Sequence, residues 1–434
     1  MSGERKLAPC RRVRGRIRVP GDKSISHRAL MLAAVARGTS RIAGLAPGED
    51  VRSTRRLLER AGAVLRDEDE ALVVEGHGWS TLDQDDPSSL LDLDCGNSGT
   101  TARLMMGLLA GRRGRFRLSG DASLSRRPMA RVREPLAAFG AVIEGGDTLP
   151  LTVVGGGLHG AVVSTAVASA QVKSAVILAA LQAEGSSEVK EERLTRDHTE
   201  RLLRAMGAPL QPVDGRGCHH RVGGGGCLAL SPLSLVVPGD PSSAACAVAL
   251  AASLPGSDLV VEDLCLNPTR LGFYRLLRRM GAEIDEEVIT EAAEPRGRLA
   301  IRGGELQGIE VGPADVVDAI DEIPLLACVA AISEGETVIR GAAELRRKES
   351  DRIAATVALL RAFGADVEEA DDGMLIGGGA RLEGARVSAE GDHRIAMCAA
   401  FLAAHARGGS VLEDPGWVAI SYPRFFDDLE RMRA

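Results

Sequence analysis

Six times along the chain, an Ala/Leu-rich stretch of helical length leads through a glycine into a run of β-branched residues. The copies are "SHRALMLAAVARGTSRI" (26–42), "TTARLMMGLLAGRRGRFRL" (100–118), "QVKSAVILAALQAEGSSEV" (171–189), "SSAACAVALAASLPGSDLVV" (242–261), "IPLLACVAAISEGETVI" (323–339) and "HRIAMCAAFLAAHARGGSVL" (393–412). A second pattern is interleaved with it: Leu-Leu-x-x-x-Gly-Ala or a close variant, then a short strand-like run. It occurs as "LLERAGAVL", "LAAFGAVI", "LLRAMGAPL", "LLRRMGAEI" and "LLRAFGADV", and the final "DLERMRA" resembles a sixth copy cut off before its glycine. Glycine after a last helical turn is the common helix stop. A unit of helix, strand, helix and strand, repeated in order, limits the fold to an array of similar modules.

Each module is amphipathic and cannot bury its apolar face alone, so modules must pack together. Three copies precede residue 239 and three follow it, and Val-Pro-Gly-Asp occurs at both Val19–Asp22 and Val237–Asp240. Two homologous halves joined by two chain crossings are therefore expected: residues 1–20 with 240–434 in one lobe and 21–239 in the other. The strand-like "VRGRIRV" near the N-terminus is assigned to the second half. In each lobe three repeats should pack around a common helical core with sheets outside, an α/β (α+β) arrangement. The cleft between the lobes is the expected small-molecule site.

With 434 residues, 45% hydrophobic and 26% charged, the chain has an ordinary globular composition. A net charge of −7 argues against general binding to nucleic acid or anionic membrane, so clustered Lys and Arg need a local reason. Aromatic residues are only 3%, too few for base- or sugar-stacking platforms. The eight cysteines, Cys10, Cys95, Cys218, Cys227, Cys246, Cys265, Cys328 and Cys398, form no Cys-x-x-Cys pair, and no metal site is expected, Cys218-His219-His220 included. Cys246, Cys328 and Cys398 lie in apolar helical runs, where a thiol acts as a small hydrophobe. The basic N-terminus lacks a signal-peptide core, and no apolar run reaches the ~18 residues of a membrane span. A soluble protein of the reducing cytoplasm is expected.

Helix starts favour acidic residues, yet several here are basic. "VPGDKSISHRAL" offers Ser24 as N-cap and holds Lys23 and Arg28 against Asp22 alone. "CGNSGTTARL" puts Gly96, Asn97, Ser98 and Gly99 before an apolar run, with Arg103 close behind; small residues there let backbone N–H groups approach an anion. The spacing fits neither the dinucleotide fingerprint nor the Walker loop. "SRRPMARVREPL" sets Arg126 and Arg127 before Pro128, read as a first helical residue, and "RRKESDRI" is read as a start bearing Arg346, Arg347, Lys348, Glu349 and Arg352. "EGDHRIAM" starts with His393 and Arg394, and "ASAQVKSA" offers Ser169, Gln171 and Lys173. Any one cluster could be a solvated face, and Glu349 with Arg352 a surface pair. Their recurrence over both halves implies more than one phosphate or carboxylate as the missing partner. "VVDAIDEIPLL" adds Asp318, Asp321 and Glu322 before a helix that Pro324 could begin. Helix capping is the bland reading; the chemical one makes Asp321 a base for a substrate hydroxyl and gives Glu349 a second proton.

The motifs "GDKSISHRA", "GNSGTTARL", "RRP", "SAQVKSA", "DEIPLLA", "RRKESDRI", "GDHRIAM" and "SYPRFFDDL", in this order over nearly the whole chain, closely resemble the 5-enolpyruvylshikimate-3-phosphate synthases (3-phosphoshikimate 1-carboxyvinyltransferases) of the enolpyruvyltransferase family. The resemblance implies an inside-out α/β barrel in each of two lobes, three βαβαββ units per lobe. It implies transfer of the enolpyruvyl group of phosphoenolpyruvate to the 5-hydroxyl of shikimate 3-phosphate, without cofactor or metal. By the same comparison Lys23, Ser24, Arg28, Ser169, Gln171, Asp321 and Lys348 hold shikimate 3-phosphate, while Lys23, Gly99, Arg127, Gln171, Arg352 and Arg394 hold phosphoenolpyruvate. Asp321 takes the hydroxyl proton, and Glu349 or Lys23 protonates the methylene carbon. Glyphosate is expected to compete with phosphoenolpyruvate, and a monomer is the default.

Ala170 and Ile420 stand where one group of the family has Ser and Lys, and Thr195 and His198 where some members have Ser and Tyr. The related UDP-N-acetylglucosamine enolpyruvyltransferases show Lys-Asn where this chain has Lys23-Ser24, and a loop cysteine near the position of Arg127; no cysteine lies between Cys95 and Cys218. A non-catalytic anion-binding paralogue is the other alternative, disfavoured by the joint presence of Lys23, Asp321, Glu349 and Arg394.

Overall fold

A computed structural model describes residues 3–225 and 228–434; Cys227 lies outside the described residues. The chain divides into two compact units, Gly21–Val237 and Pro238–Ala434 with Met1–Pro20.

The 21–237 unit holds helices α1 (Lys23–Ala34), α2 (Glu49–Arg60), α3 (Gly99–Leu109), α4 (Ala130–Ala137), α5 (Ala170–Ala180) and α6 (His198–Ala205). The Ala/Leu-rich helices are α1, α3 and α5, and each is buried along almost its whole length. Small side chains let them approach closely: a Cβ at Gly107 of α3 would lie 2.1 Å from the Ala175 carbonyl oxygen of α5. Only glycine fits there. Each repeat also supplies a four-stranded sheet with one common pattern, in which an edge strand pairs parallel with its neighbour and two further pairings are antiparallel. In the first sheet the order is Ser234–Val236, Arg37–Ala43, Ala71–His77, Val64–Glu68, so a strand that follows the third repeat completes the sheet of the first. Strands bury alternate residues, as in Gly114–Ser119, where Phe116 and Leu118 face inward.

The 238–434 unit has α7 (Pro241–Ser253), α8 (Gly272–Arg279), α9 (Pro313–Ala319), α10 (Ile323–Ile332), α11 (Arg352–Ala362), α12 (His393–His405) and α13 (Phe425–Met432), and repeats the scheme except that its last sheet has three strands, Glu4–Leu7, Ser410–Glu413 and Arg386–Ser388. Here α7, α10 and α12 are the buried Ala-rich helices, and Cys246, Cys328 and Cys398 are packed in them as buried thiols. The N-terminal strand Arg14–Ile17 pairs parallel with Asp258–Cys265, as Ser234–Val236 does with Arg37–Ala43. Both edge strands run into Val-Pro-Gly-Asp, whose aspartate caps the next helix: Asp22 accepts from Ile25 N at 2.9 Å and Asp240 from Ser242 N at 2.8 Å. The second helices end as their motif requires. Gly62, Gly140, Gly207, Gly281 and Gly364 have φ of 103°, 82°, 80°, 101° and 85°, a region open to glycine at little cost.

Three expected helix starts shift. Asp22, not Ser24, is the N-cap of α1, because its carboxylate reaches the Ile25 N–H and places Ser24 inside the first turn. Helix α4 begins at Ala130 behind Met129, leaving Pro128 in the preceding turn. Arg346 and Arg347 end a 3-10 turn, Ala343–Arg347, and α11 starts at Arg352 behind its Asp351 cap. Among the described residues, no helix is long and apolar enough to cross a membrane.

Candidate active site

In the 21–237 unit, the N-terminal turns of α1, α3 and α5 carry the residues singled out by sequence. Lys23 Nζ is 2.8 Å from Asp50 at the start of α2. Arg28 is buried, and its guanidinium donates to Thr199 Oγ1 at 2.6 Å, Ser174 Oγ at 2.8 Å and the Ser24 carbonyl at 3.0 Å. Ser169 caps α5 through Val172 N. Gln171 joins α5 to α3, donating to Thr100 Oγ1 at 2.9 Å and accepting from Arg103 Nη1 at 2.5 Å. Arg127 donates to Asn97 Oδ1 at 2.9 Å, which brings it beside the Gly-rich turn before α3. A Cβ on Gly99 would meet both cations, at 3.2 Å from Arg103 Nη1 and 3.4 Å from Arg127 Nη1.

A buried polar chain fixes these helix starts beneath the cations. His27 Nδ1 and Thr54 Oγ1 lie 2.6 Å apart, Thr54 is 2.6 Å from Thr101 Oγ1, and Thr101 donates to the α3 cap Ser98 at 2.7 Å. It thereby joins α1, α2 and α3. Burial pushes the His27 pKa down to about 3, so the ring is neutral and adds no charge to the cluster.

The 238–434 unit gathers carboxylates and cations in one network. Asp321, just before α10, has Oδ1 3.5 Å from Lys348 Nζ and 3.5 Å from Arg352 Nη1. Arg352 also contacts Glu349 Oε2 at 2.7 Å and Asp392 Oδ2, the cap of α12, at 2.7 Å. Burial opposes the Arg352 charge, but Asp392 and Glu349 outweigh it and hold its pKa above the usual value. Burial likewise works against the Asp392 carboxylate, and the adjacent Arg352 reverses that, leaving its pKa lowered. Arg394 reaches Glu322 at 3.0 Å, and Glu322 accepts from Ser242 at the start of α7. Arg270 adds contacts to Asp240 at 2.6 Å and Ser242 at 3.0 Å. A small cavity of about 10 Å³ lies among Ser242, Asp321, Glu322 and Arg394.

Sequence-selected residues thus fall into two groups. Lys23, Ser24, Arg28, Gly99, Arg127, Ser169 and Gln171 belong to one unit, and Asp321, Lys348, Glu349, Arg352 and Arg394 to the other. Glu349 and Arg352 are no solvated surface pair, since the Arg352 side chain is 2% exposed. Arg346 points away from this role, bound to Asp351 and Glu369. Thr195 and His198 are buried, and the Thr195 hydroxyl is donated to Glu191. Ile420 is half-buried at the end of a 3-10 turn and presents no polar group. Sequence reasoning left out Asp50, Thr100 and Asp392, and it named Asn97 and Glu322 without pairing them with Arg127 and Arg394. Its one available signal was the capping position of Asp392. Among the described residues, no group of three or more His, Cys, Asp or Glu side chains is placed to hold a metal ion.

Comparison with known proteins gives a consistent family. A family model described as EPSP synthase (3-phosphoshikimate 1-carboxyvinyltransferase) matches residues 7–429. The chain is 48% identical over 428 residues to the 3-phosphoshikimate 1-carboxyvinyltransferase of Parasynechococcus marenigrum, covering 96% of this chain and 95% of that one. It is 48% identical over 435 residues to an enzyme of the same name from Thermus thermophilus, covering 99% of both. The solved EPSP synthase of Acinetobacter baumannii superposes with a TM-score of 0.87 at 36% identity, over 100% of this chain and 98% of that chain. The enolpyruvyl transferase NikO of Streptomyces tendae shares the fold, with a TM-score of 0.79 at 18% identity over 98% of this chain and 96% of its own.

Proposed function

Since the chain belongs to the EPSP synthase (3-phosphoshikimate 1-carboxyvinyltransferase) family, we propose a division of labour between its two charged clusters. The reaction is transfer of the enolpyruvyl group of phosphoenolpyruvate to the 5-hydroxyl of shikimate 3-phosphate, a step of the shikimate pathway to aromatic amino acids. Both substrates carry a phosphate and a carboxylate, which accounts for basic helix starts in both halves. Shikimate 3-phosphate is held by Lys23, Ser24, Arg28, Ser169, Gln171, Asp321 and Lys348. Phosphoenolpyruvate is held by Lys23, Gly99, Arg127, Gln171, Arg352 and Arg394.

Asp321 accepts the proton of the 5-hydroxyl as that oxygen bonds to C2 of phosphoenolpyruvate. Glu349 or Lys23 gives a proton to C3, and a tetrahedral intermediate results. Loss of a proton from the new methyl group and cleavage of the C2–O bond to phosphate then restore the double bond. Fixed cations and helix ends stabilise the charge that moves, so electrostatics supplies most of the acceleration. The observation that carries this reading is Asp321 held at 3.5 Å from both Lys348 and Arg352, a carboxylate oriented by two cations. Glyphosate competes at the phosphoenolpyruvate positions, and the enzyme works as a cytoplasmic monomer.

Binding of the two substrates is expected to be coupled. Calorimetry should find phosphoenolpyruvate bound at least about tenfold more tightly when shikimate 3-phosphate is present. Equal affinity in its presence and absence, in enzyme whose phosphate release requires both substrates, overturns this coupling.

A further inference from the structure

Lys173, in the second turn of α5, is 1% exposed, yet it is a lysine. Its Nζ lies 2.6 Å from Glu191 and 2.8 Å from Glu200, whose side chains are 1% and 0% exposed. Three ionisable groups in a protein interior are costly, and an apolar trio of similar volume often serves stability as well or better. Fold stability alone is therefore a weak reason for this triad.

Its neighbours in sequence suggest another. Lys173 precedes Ser174 and Glu200 follows Thr199, so two successive bridges join α5 to α6: Lys173 to Glu200, and Ser174 Oγ to Thr199 Oγ1 at 2.7 Å. The two hydroxyls of the second bridge are the ones that receive the Arg28 guanidinium, at 2.8 and 2.6 Å. The third member of the triad secures the entry to α6. Glu191 ends the strand Ser186–Glu191, and its carboxylate accepts from Thr195 N at 3.1 Å and Thr195 Oγ1 at 2.7 Å. Lys173 also donates to the Thr195 carbonyl at 3.3 Å. Burial works against the ammonium, but Glu200 and Glu191 outweigh it and keep Lys173 charged. Sliding α6 along α5 would break the Lys173–Glu200 pair, the Ser174–Thr199 bridge and the Thr199 contact to Arg28 together.

We propose that Lys173, Glu191 and Glu200 are positioning residues for Arg28, locking α6 to α5 so that the Ser174–Thr199 hydroxyl pair holds the guanidinium where shikimate 3-phosphate meets it. The proposal rests on the reading that Arg28 grips that substrate. The triad itself touches no substrate. Its loss affects the KM for shikimate 3-phosphate, through Arg28, and leaves chemistry and the second substrate alone.

Steady-state kinetics on the full chain test this. Glu200→Gln is nearly isosteric and leaves Lys173 paired with Glu191. It should raise the KM for shikimate 3-phosphate about five- to tenfold, with kcat and the KM for phosphoenolpyruvate changed less than about twofold. Ser174→Ala with Thr199→Val should give the same split by removing the hydroxyl pair directly. Arg28→Lys is the reference. If Arg28→Lys raises that KM while both other variants match wild type, the positioning role is wrong and the assignment of Arg28 stands. If Arg28→Lys leaves it unchanged, the assignment of Arg28 fails and the proposal falls with it. Should Glu200→Gln not fold, the fully neutral Lys173→Met, Glu191→Gln, Glu200→Gln variant replaces it, and wild-type KM values there are equally fatal.

Discussion

Arg28 and Arg352 are both buried guanidiniums near helix starts, 3% and 2% exposed, but their own units hold them by different means. Arg28 is held within its unit by two hydroxyls and a backbone carbonyl. Arg352 is held by Glu349, Asp392 and Asp321. The surroundings extend the contrast: Gln171 and Asn97 take Arg103 and Arg127, whereas Glu322 takes Arg394 and Asp240 takes Arg270. Hydroxyls, amides and carbonyls orient a cation without neutralising it. Carboxylates do both, and are themselves fixed in return. Among these contacts the 21–237 unit uses mainly neutral acceptors, with Lys23–Asp50 an exception, and the 238–434 unit mainly carboxylates.

The sharpest break of this comparison is Asp321→Ala. The carboxylate unit should lose chemistry while the basic unit still binds. Turnover should fall about 10³-fold, the scale of a positioned general base, with shikimate 3-phosphate affinity lowered far less. Phosphate-release kinetics with calorimetry on the same sample decide it. Full turnover in the variant removes Asp321 from the mechanism, and an equal loss of binding and turnover removes the division between the units.

Acid provides a second comparison, because each unit buries one strongly perturbed histidine. Burial lowers the pKa of His27 in α1 to about 3 and that of His405 in α12 to about 4. Both values lie below the ordinary 6.5, so the unfolded chain binds more protons than the folded one under acid conditions. Stability is complete above pH 6.5 and is lost as pH falls from there toward 4 and 3. At pH 5 the loss is about 2 kcal/mol for each histidine. Urea unfolding at pH 7 and pH 5 should show this fall in wild type, and His27→Gln or His405→Gln should each remove about 2 kcal/mol of the pH difference. A wild-type stability equal at the two values would refute neutral burial in both units.

How far the sequence foretold these features depends on distance along the chain. The repeat was legible because helical stops and apolar runs are local, and all five predicted glycines take the positive φ that their motif requires. The basic helix starts were legible as a set for the same reason. Capping by Asp22 instead of Ser24 was missed because both residue types cap well and sit two positions apart. The partners of the cations were not legible. Arg352 and Asp392 are 40 residues apart, Arg103 and Gln171 are 68 apart, and only the packing of separate helices brings them together. Lys173 was the most opaque, since nothing local in "SAQVKSA" separates a lysine buried between two glutamates from one in water.

Gly99→Ala probes the basic unit with a single methyl group and has the smallest expected effect. Its new Cβ would press on Arg103 Nη1 at 3.2 Å and Arg127 Nη1 at 3.4 Å, the far ends of flexible side chains, so each guanidinium moves by tenths of an ångström. Gly99 opens α3, where alanine is the better helix former by up to about 1 kcal/mol, so the fold should be unharmed or slightly stabilised. Displacing cations that hold an anion by so little should cost about 1 kcal/mol of binding, roughly a fivefold rise in the KM for phosphoenolpyruvate. The KM for shikimate 3-phosphate, whose grip lies on Arg28, should stay near wild type, and thermal unfolding should show no loss of stability. An unchanged phosphoenolpyruvate KM would detach the Arg103–Arg127 pair from that substrate. A matching rise in both KM values would mean that the methyl disturbs the whole cluster, and the assignment of separate anions to separate cations within this unit would fail.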